Sequence, residues 1–325
     1  MPVIVMTNYY GEEPYKIVQS AVPEGFTLKM AGSADRGALL ALVPEADYLL
    51  AGGRSPIDRE LLDHAKKLRM IQRTGVGMDT VDADAVRERG IPVYVNQGVN
   101  AASVAEHTVM LLLAVLRRAA AVDAQLRAGI WKKQENGIQN HELCRKTVGL
   151  IGMGEIARKT ARMLSGFDVR LLYYTPVRKA EELEKQLSLT WQPYEELLAR
   201  SDIVIFQCAL NDSTRGMLGE KQIGKMKRGS VVINTARGAL IDEKALAEAL
   251  RSGRLSGAGL DVFEKEPPAA DNAFFQMKNV VLSPHIGGVT QEAFKRMMEL
   301  AMHNIVLYEQ GRYEELEDRL WKKTV

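Results

Sequence analysis

Apolar residues along this chain fall into short, β-rich runs separated by helix-compatible stretches. In the first third, Val3-Ile4-Val5-Met6, Tyr48-Leu49-Leu50, Met70-Ile71 and Val93-Tyr94-Val95 read as strands, with segments such as Asp58 to Leu68 between them reading as helix. From Ala101 to Leu116 the pattern predicts a long Ala- and Leu-rich helix, after which Asp123 to Leu143 is polar, irregular in period and reads as a bridging element. The alternation then resumes with Val148 to Ile151, Val169 to Tyr174, Ile203 to Phe206, Val231 to Ile233, Gly259 to Val262 and Val280 to Leu282 as strands. A parallel connection needs a crossover, usually a helix, so this second series predicts a doubly wound α/β unit with a parallel sheet. Helix returns after Gln291 to about Gln310, and the tail to Val325 mixes Glu and Lys with Tyr313, Leu316, Leu320 and Trp321.

Composition narrows the class. At 325 residues the chain is expected to hold two domains, and 46% apolar with 26% charged residues excludes disorder. Lys and Arg number 43 against 41 Asp and Glu, and a net +2 is too small for a dedicated nucleic-acid or anionic-membrane surface. Two cysteines, Cys144 and Cys208, give no disulfide framework; both are expected to be buried free thiols in a reducing compartment. The longest apolar stretch, Val109 to Leu116, is far short of the ~20 residues that span a bilayer and is expected to be a buried helix. The opening MPVIVMTNYY has no basic region and cleavage site, so a cytoplasmic location is expected. His64, His107, His141, His285 and His303 show no ligand spacing, so no metal is expected.

Candidate chemistry begins at Thr147-Val-Gly-Leu-Ile-Gly152-Met-Gly154-Glu-Ile-Ala157, a G-x-G-x-x-A at the end of a predicted strand and the start of a predicted helix. Gly152 permits the tight turn, Gly154 lets backbone approach a pyrophosphate, and Ala157 allows close helix-to-strand packing; the free amides of the helix start favour the anion. A site for NAD would end the next strand in a carboxylate for the ribose hydroxyls. Here the strand runs Tyr173-Tyr174-Thr175-Pro176-Val177-Arg178-Lys179. Thr175 stands where Asp would repel a 2′-phosphate, and Arg178, as a fork, with Lys179, as a point charge, is expected to pair with one, so NADP(H) is the expected cofactor, with NAD(H) as the alternative.

Arg237, Glu266 and His285 each follow a predicted parallel strand, and strand ends gather at the ligand crevice of an open α/β sheet. Imidazole suits the proton donor for an alkoxide that develops when hydride reaches a carbonyl carbon, which marks His285. Glu266 would fix its tautomer and hold the acid form, and Arg237 would grip a substrate carboxylate and polarise the carbonyl. Singly each has an ordinary structural reading; the glycine-rich turn raises all three together.

Through Thr74-Gly-Val-Gly77-Met-Asp79, Ser103-Val-Ala-Glu-His107, Val148 to Ala157, Asn234 to Asp242, Gly259 to Pro267 and Ser283-Pro-His-Ile-Gly-Gly288, nearly the whole chain resembles the D-isomer-specific 2-hydroxyacid dehydrogenases. The resemblance implies that the family's Arg, Glu and His fall on Arg237, Glu266 and His285. It implies a flavodoxin-like substrate domain, 1–98 plus 290–325, and a Rossmann cofactor domain, 99–289. It also implies that Val76 and Gly77 amides hold the substrate carboxylate. Glu155, Ile156, Cys208, Thr214, Thr235, Ala236, Asp261 and Gly287 would line the dinucleotide together with Gly152, Gly154 and His285. A homodimer through the cofactor domains is implied, with the helix from Ala101 and the following arm crossing the partner.

Departures from the family pattern are Thr175 for the usual Asp, Gln97-Gly98 for Pro-Gly, and Ala209 where Pro is common. The Thr175 segment resembles glyoxylate and hydroxypyruvate reductases, so a small 2-ketoacid is the expected substrate. The alternative is an NAD-linked D-3-phosphoglycerate dehydrogenase, for which Arg54 and Arg73 are the nearest phosphate-binding candidates; with the sequence ending at Val325, an appended serine-sensing domain is not expected. Formate dehydrogenases carry Gln where Glu266 stands, and a corepressor-type dinucleotide-binding protein is the non-enzymatic alternative.

Overall fold

The first apolar run forms β1 (Val3–Met6), and parallel to it lie β2 (Thr27–Met30), β3 (Tyr48–Ala51), β4 (Met70–Arg73) and β5 (Val93–Tyr94), in the order β2-β1-β3-β4-β5. That is the order of a flavodoxin-like doubly wound sheet. This computed structural model describes residues 1–321; the last residues of the predicted tail, 322–325, lie outside it. Side chains alternate across the strands: Ile4, Tyr48, Leu50 and Met70 pack with Phe294, Met298 and Met302, while Val5, Leu49 and Ile71 pack with Leu61 and Val86. The helix Gln291–Glu309 therefore covers one face, as its apolar period predicts. Strand β2 has no counterpart in the sequence reading, because all four of its residues are only half-buried at the sheet edge and leave no apolar run.

Buried amides pin that helix. Asn304 Nδ2 donates to Gln72 Oε1 at 3.0 Å, Gln72 Nε2 to Asn96 Oδ1 at 3.1 Å, and Asn96 Nδ2 to the Met297 carbonyl at 2.8 Å. Fully buried polar groups are tolerated because each finds a partner.

This unit comprises Met1–Asn100 and the stretch from Thr290; the second compact unit is Ala101–Val289. Its strands are β6 (Thr147–Ile151), β7 (Arg170–Tyr174), β8 (Leu189–Trp191), β9 (Ile203–Phe206), β10 (Ser230–Asn234), β11 (Leu255–Leu260) and β12 (Val280–Leu282). All pair in parallel in the order β12-β11-β10-β9-β6-β7-β8, the doubly wound Rossmann arrangement in which the order reverses between β6 and β9. Helices pack on both faces, one around Leu111, Leu112, Ala157 and Leu164, the other around Leu197, Leu246 and Leu250.

Local differences from the sequence reading have physical causes. The strand expected at Gly259 to Val262 begins earlier, at Leu255, through a Ser-Gly-Ala-Gly stretch with little β propensity. A Cβ on Gly257 would lie 2.7 Å from Val115 Cγ1 and 2.9 Å from the Asn279 carbonyl, and one on Gly259 would lie 2.8 Å from Ile233 Cδ1. The glycines let the helix Ala101–Leu116 press directly against β11. Strand β8 is a three-residue edge that no periodicity marks. The bridging stretch folds into helices Ala119–Arg127 and Lys133–Gly137. Cys144 is exposed and Cys208 half-buried, not both buried as expected, since Cys144 sits in the turn before β6. Met110 on the helix expected to be buried is about half exposed.

No helix among the described residues is long and apolar enough to cross a membrane, and no group of three or more His, Cys, Asp or Glu among them is placed to hold a metal. Gly257→Ala is expected to destabilise the second unit by about 1–3 kcal/mol, because the added carbon overpacks a backbone carbonyl and a β-branched side chain; a lower urea midpoint measures it.

Candidate active site

The turn after β6 shows why its glycines are needed. Gly152 has φ of +102°, and a Cβ there would lie 2.6 Å from the Gln207 carbonyl oxygen. Gly154 precedes the helix Glu155–Leu164, no side chain caps that helix start, and a Cβ on Gly154 would meet nothing within 4 Å. Uncapped amides facing open space suit a pyrophosphate, so the residues present fit a dinucleotide. Glu155 is exposed and Ile156 half-buried in the first turn.

Around that turn the other expected cofactor residues fall at strand ends. Cys208 follows β9; its thiol is pushed up to about 11 by burial, which leaves it uncharged at neutral pH. Thr214 closes the next loop, its hydroxyl donating to the Ala209 carbonyl at 2.8 Å. Thr235 is buried, with its hydroxyl 2.8 Å from that of Thr108, and the Ala236 amide donates to Asn234 Oδ1 at 3.0 Å.

Arg237, Glu266 and His285 lie beyond β10, β11 and β12. Gly238 allows the first approach: a Cβ there would fall 1.9 Å from the Phe263 carbonyl carbon, so only glycine lets the loop after β10 rest on the backbone that leads to Glu266. The Asn234 side chain shapes the same loop by donating to the Arg237 carbonyl at 2.8 Å. Arg237 Nη1 donates to the Ala236 carbonyl at 2.7 Å. His285 Nδ1 lies 2.6 Å from Glu266 Oε2, and the Phe263 amide donates to Glu266 Oε1 at 3.1 Å.

Burial raises the Glu266 carboxyl, but the hydrogen bond and charge of His285, the Phe263 amide and the charge of Arg237 outweigh it and hold the group below its ordinary range. Glu266 is therefore ionised at neutral pH and can only accept, so Nδ1 carries the proton in that contact. Nε2 is the ring atom left for chemistry.

A second carboxylate shapes the loop that presents His285. Asp261, 2% exposed, accepts from the Ser283 hydroxyl at 2.6 Å, the Ile286 amide at 2.9 Å and the Gly287 amide at 2.8 Å, with His107 Nε2 at 3.3 Å. Burial raises this carboxyl too, yet His107, Ser283 and the two amides together lower it. The His285 amide donates to the Asp261 carbonyl at 2.7 Å, fixing His285 at φ +55°, a left-handed conformation few side chains adopt. Asp261, expected to line the dinucleotide, has its carboxylate engaged by this loop. His107 and Ser283 had no role in the sequence reading, although both lie in the segments that carry the family resemblance.

At the end of β7, Thr175 stands where the sequence places it, and its hydroxyl donates to the Val177 carbonyl at 2.7 Å. Arg178 is mostly exposed, but its Nε and Nη2 donate to Glu184 at 2.9 and 2.6 Å. The edge of the guanidinium expected to face a phosphate is thus partly committed to a carboxylate on the helix Glu181–Leu187, a residue sequence reasoning missed. Its signal was present: Glu184 lies one turn before buried Leu187. In the first unit, Val76 is half exposed, while the Gly77 carbonyl accepts from Arg73 Nε and Nη2 at 3.1 and 2.8 Å. Arg73 also donates to the Gly52 carbonyl at 2.8 Å and is 3% exposed. It is a latch between two turns, not the phosphate-binding group that the alternative reading considered.

Comparison with known proteins places the chain in a family. Residues 109–287 match the family described as D-isomer specific 2-hydroxyacid dehydrogenase, NAD binding domain. The chain is 40% identical to a glyoxylate reductase of Thermococcus litoralis over 281 residues, 85% of this chain and 84% of that one. It is 38% identical to a D-3-phosphoglycerate dehydrogenase of Mycobacterium leprae over 91% of its own length, but spans only 54% of that protein. Among solved structures, a D-lactate dehydrogenase of Aquifex aeolicus complexed with NAD and lactic acid superposes with a TM-score of 0.87 at 27% identity, covering 99% of this chain and 100% of that one. The glycine turn that fits a nicotinamide dinucleotide and the strand-end residues thus sit in a chain that belongs to the D-isomer-specific 2-hydroxyacid dehydrogenase family, the NAD(P)-dependent oxidoreductases of small hydroxyacids and ketoacids.

Proposed function

We propose that the protein reduces a small 2-ketoacid such as glyoxylate or hydroxypyruvate with NADP(H), using His285 as the acid, Glu266 as its support and Arg237 as the substrate anchor. The observation that carries the reading is the 2.6 Å contact between His285 Nδ1 and Glu266 at adjoining strand ends, with the Arg237 charge acting on the same carboxylate. A nicotinamide dinucleotide held at the glycine turn around Gly152 and Gly154 would supply hydride to the carbonyl carbon. As alkoxide develops, Nε2 of the imidazolium gives up its proton, and the ionised Glu266 stabilises the charged ring before transfer. Arg237, with its fixed charge, holds the substrate carboxylate and draws electron density toward the carbonyl oxygen. Val76 and Gly77 keep the assignment to the substrate carboxylate that the family resemblance gives them.

The NADP(H) preference rests on Thr175 in place of a carboxylate and on Arg178 and Lys179 just beyond it. The alternative, a D-3-phosphoglycerate dehydrogenase, loses one of its two candidate phosphate-binding bases, since Arg73 is buried and committed to carbonyl groups. The homodimer reading is supported by Leu126, Ile130, Trp131 and Ile138, which expose apolar surface along the arm after the long helix; Trp131 and Ile138 are 78% and 82% exposed.

Initial rates with NADPH and NADH against glyoxylate, hydroxypyruvate and 3-phosphohydroxypyruvate test the assignment. NADPH with an unphosphorylated acid should be the best pair, and a strong NADH preference that survives Arg178→Ala refutes the cofactor reading. His285→Ala should lower kcat/KM by roughly 10²–10⁴ and Arg237→Ala by roughly 10²–10³. Glu266→Gln removes the negative charge that favours the protonated ring, so the alkaline limb of the reduction rate should move to lower pH; an unmoved limb denies Glu266 its role. Because the Glu266 carboxyl is lowered, its support should persist from neutrality down through the ordinary carboxylate range. Trp131→Asp with Ile138→Asp should halve the mass measured by light scattering.

A further inference from the structure

Arg178, Glu184, Tyr173 and Lys179 form a closed set of contacts at the end of β7. Glu184 is 7% exposed on its side chain, and its Oε1 accepts from both Arg178 Nε at 2.9 Å and the Tyr173 hydroxyl at 2.7 Å. Its Oε2 accepts from Arg178 Nη2 at 2.6 Å. The Tyr173 hydroxyl in turn accepts from the Lys179 amide at 2.8 Å, which ties the loop after the strand to the same carboxylate. The fork of Arg178 and the Tyr173 hydroxyl hold the Glu184 carboxyl down to about 2, so the pair stays charged at any working pH.

A guanidinium has two usable edges. Nε with one Nη2 hydrogen forms the side edge, and Nη1 with the other Nη2 hydrogen forms the end. Glu184 takes the side edge. Among the described residues no acceptor is recorded on Nη1, and the Arg178 side chain is 63% exposed. One guanidinium can therefore hold a carboxylate along its side and a phosphate at its end.

We propose that Glu184, braced by Tyr173, is a positioning residue for the adenosine 2′-phosphate: it fixes Arg178 with the end edge free and anchors the Lys179 backbone beside it. This rests on the NADP(H) reading above and deepens it. An exposed Arg otherwise surrenders its rotamer freedom when it meets the phosphate, and the buried carboxylate has already removed that freedom. Glu184 also repels the phosphate, but its charge is matched at contact distance by the guanidinium, so ordering outweighs repulsion.

The test is calorimetric and needs no turnover: 2′,5′-ADP and 5′-AMP are titrated into the full-length protein, since the two ligands differ by the 2′-phosphate. The wild type should bind 2′,5′-ADP more tightly. Glu184→Ala should weaken 2′,5′-ADP by about tenfold, the loss expected for an anchor set free, while 5′-AMP changes less than about twofold. Tyr173→Phe, which keeps the ring and removes only the hydroxyl, should fall between wild type and Glu184→Ala and guards against a Glu184 variant that fails to fold. If the wild type does not discriminate between the ligands, the NADP(H) reading fails and this proposal with it. If the wild type discriminates but Glu184→Ala and Tyr173→Phe leave the ratio unchanged, raise it, or weaken both ligands equally, only the positioning role is overturned.

Discussion

A buried carboxylate with no freedom left organises the candidate site. Asp261 follows β11, and its side chain collects a serine hydroxyl and two successive backbone amides from the loop after β12, while its own carbonyl receives the His285 amide. Removing a charge from water is costly unless donors replace the solvent, and here the donors belong to the very loop that presents the imidazole. The desolvation of one residue thus enforces the backbone conformation of another. Glu266 acts on the imidazole ring; Asp261 acts on the chain that carries it.

Much of this was legible in the sequence because the relevant chemistry follows strand ends. Alternating strand and helix imply a parallel sheet, and in such a sheet Arg237, Glu266 and His285 must emerge at one edge whatever lies between them. The long helix from Ala101 and the helix after Gln291 were legible for a different reason, since their apolar positions recur over many turns, and the second is capped by the Thr290 hydroxyl, which accepts from the Ala293 amide. Edge strands β2 and β8 were not, because a half-covered or three-residue strand leaves no run to read. The partners of acids were equally hidden. Asp261 and Glu184 look like a turn residue and a surface helix residue until the fold shows what surrounds them.

The two acidic partnerships illustrate one rule at two places. A cation or an imidazole is held from behind by a carboxylate less exposed than itself: Glu266 behind His285, Glu184 behind Arg178. In each case a hydrogen-bond donor other than the held group, the Phe263 amide or the Tyr173 hydroxyl, satisfies a carboxylate oxygen and fixes its direction. Charge alone would attract a ligand, whereas charge with a fixed direction selects among ligands.

Arg73 bears on how such a chain can change over evolutionary time. Its guanidinium ties together turns around Gly52 and Gly77, so turning it outward to greet a new acidic group would unfasten both. A larger, doubly charged acid would therefore have to be met by another base, such as Arg54, leaving Arg73 as masonry.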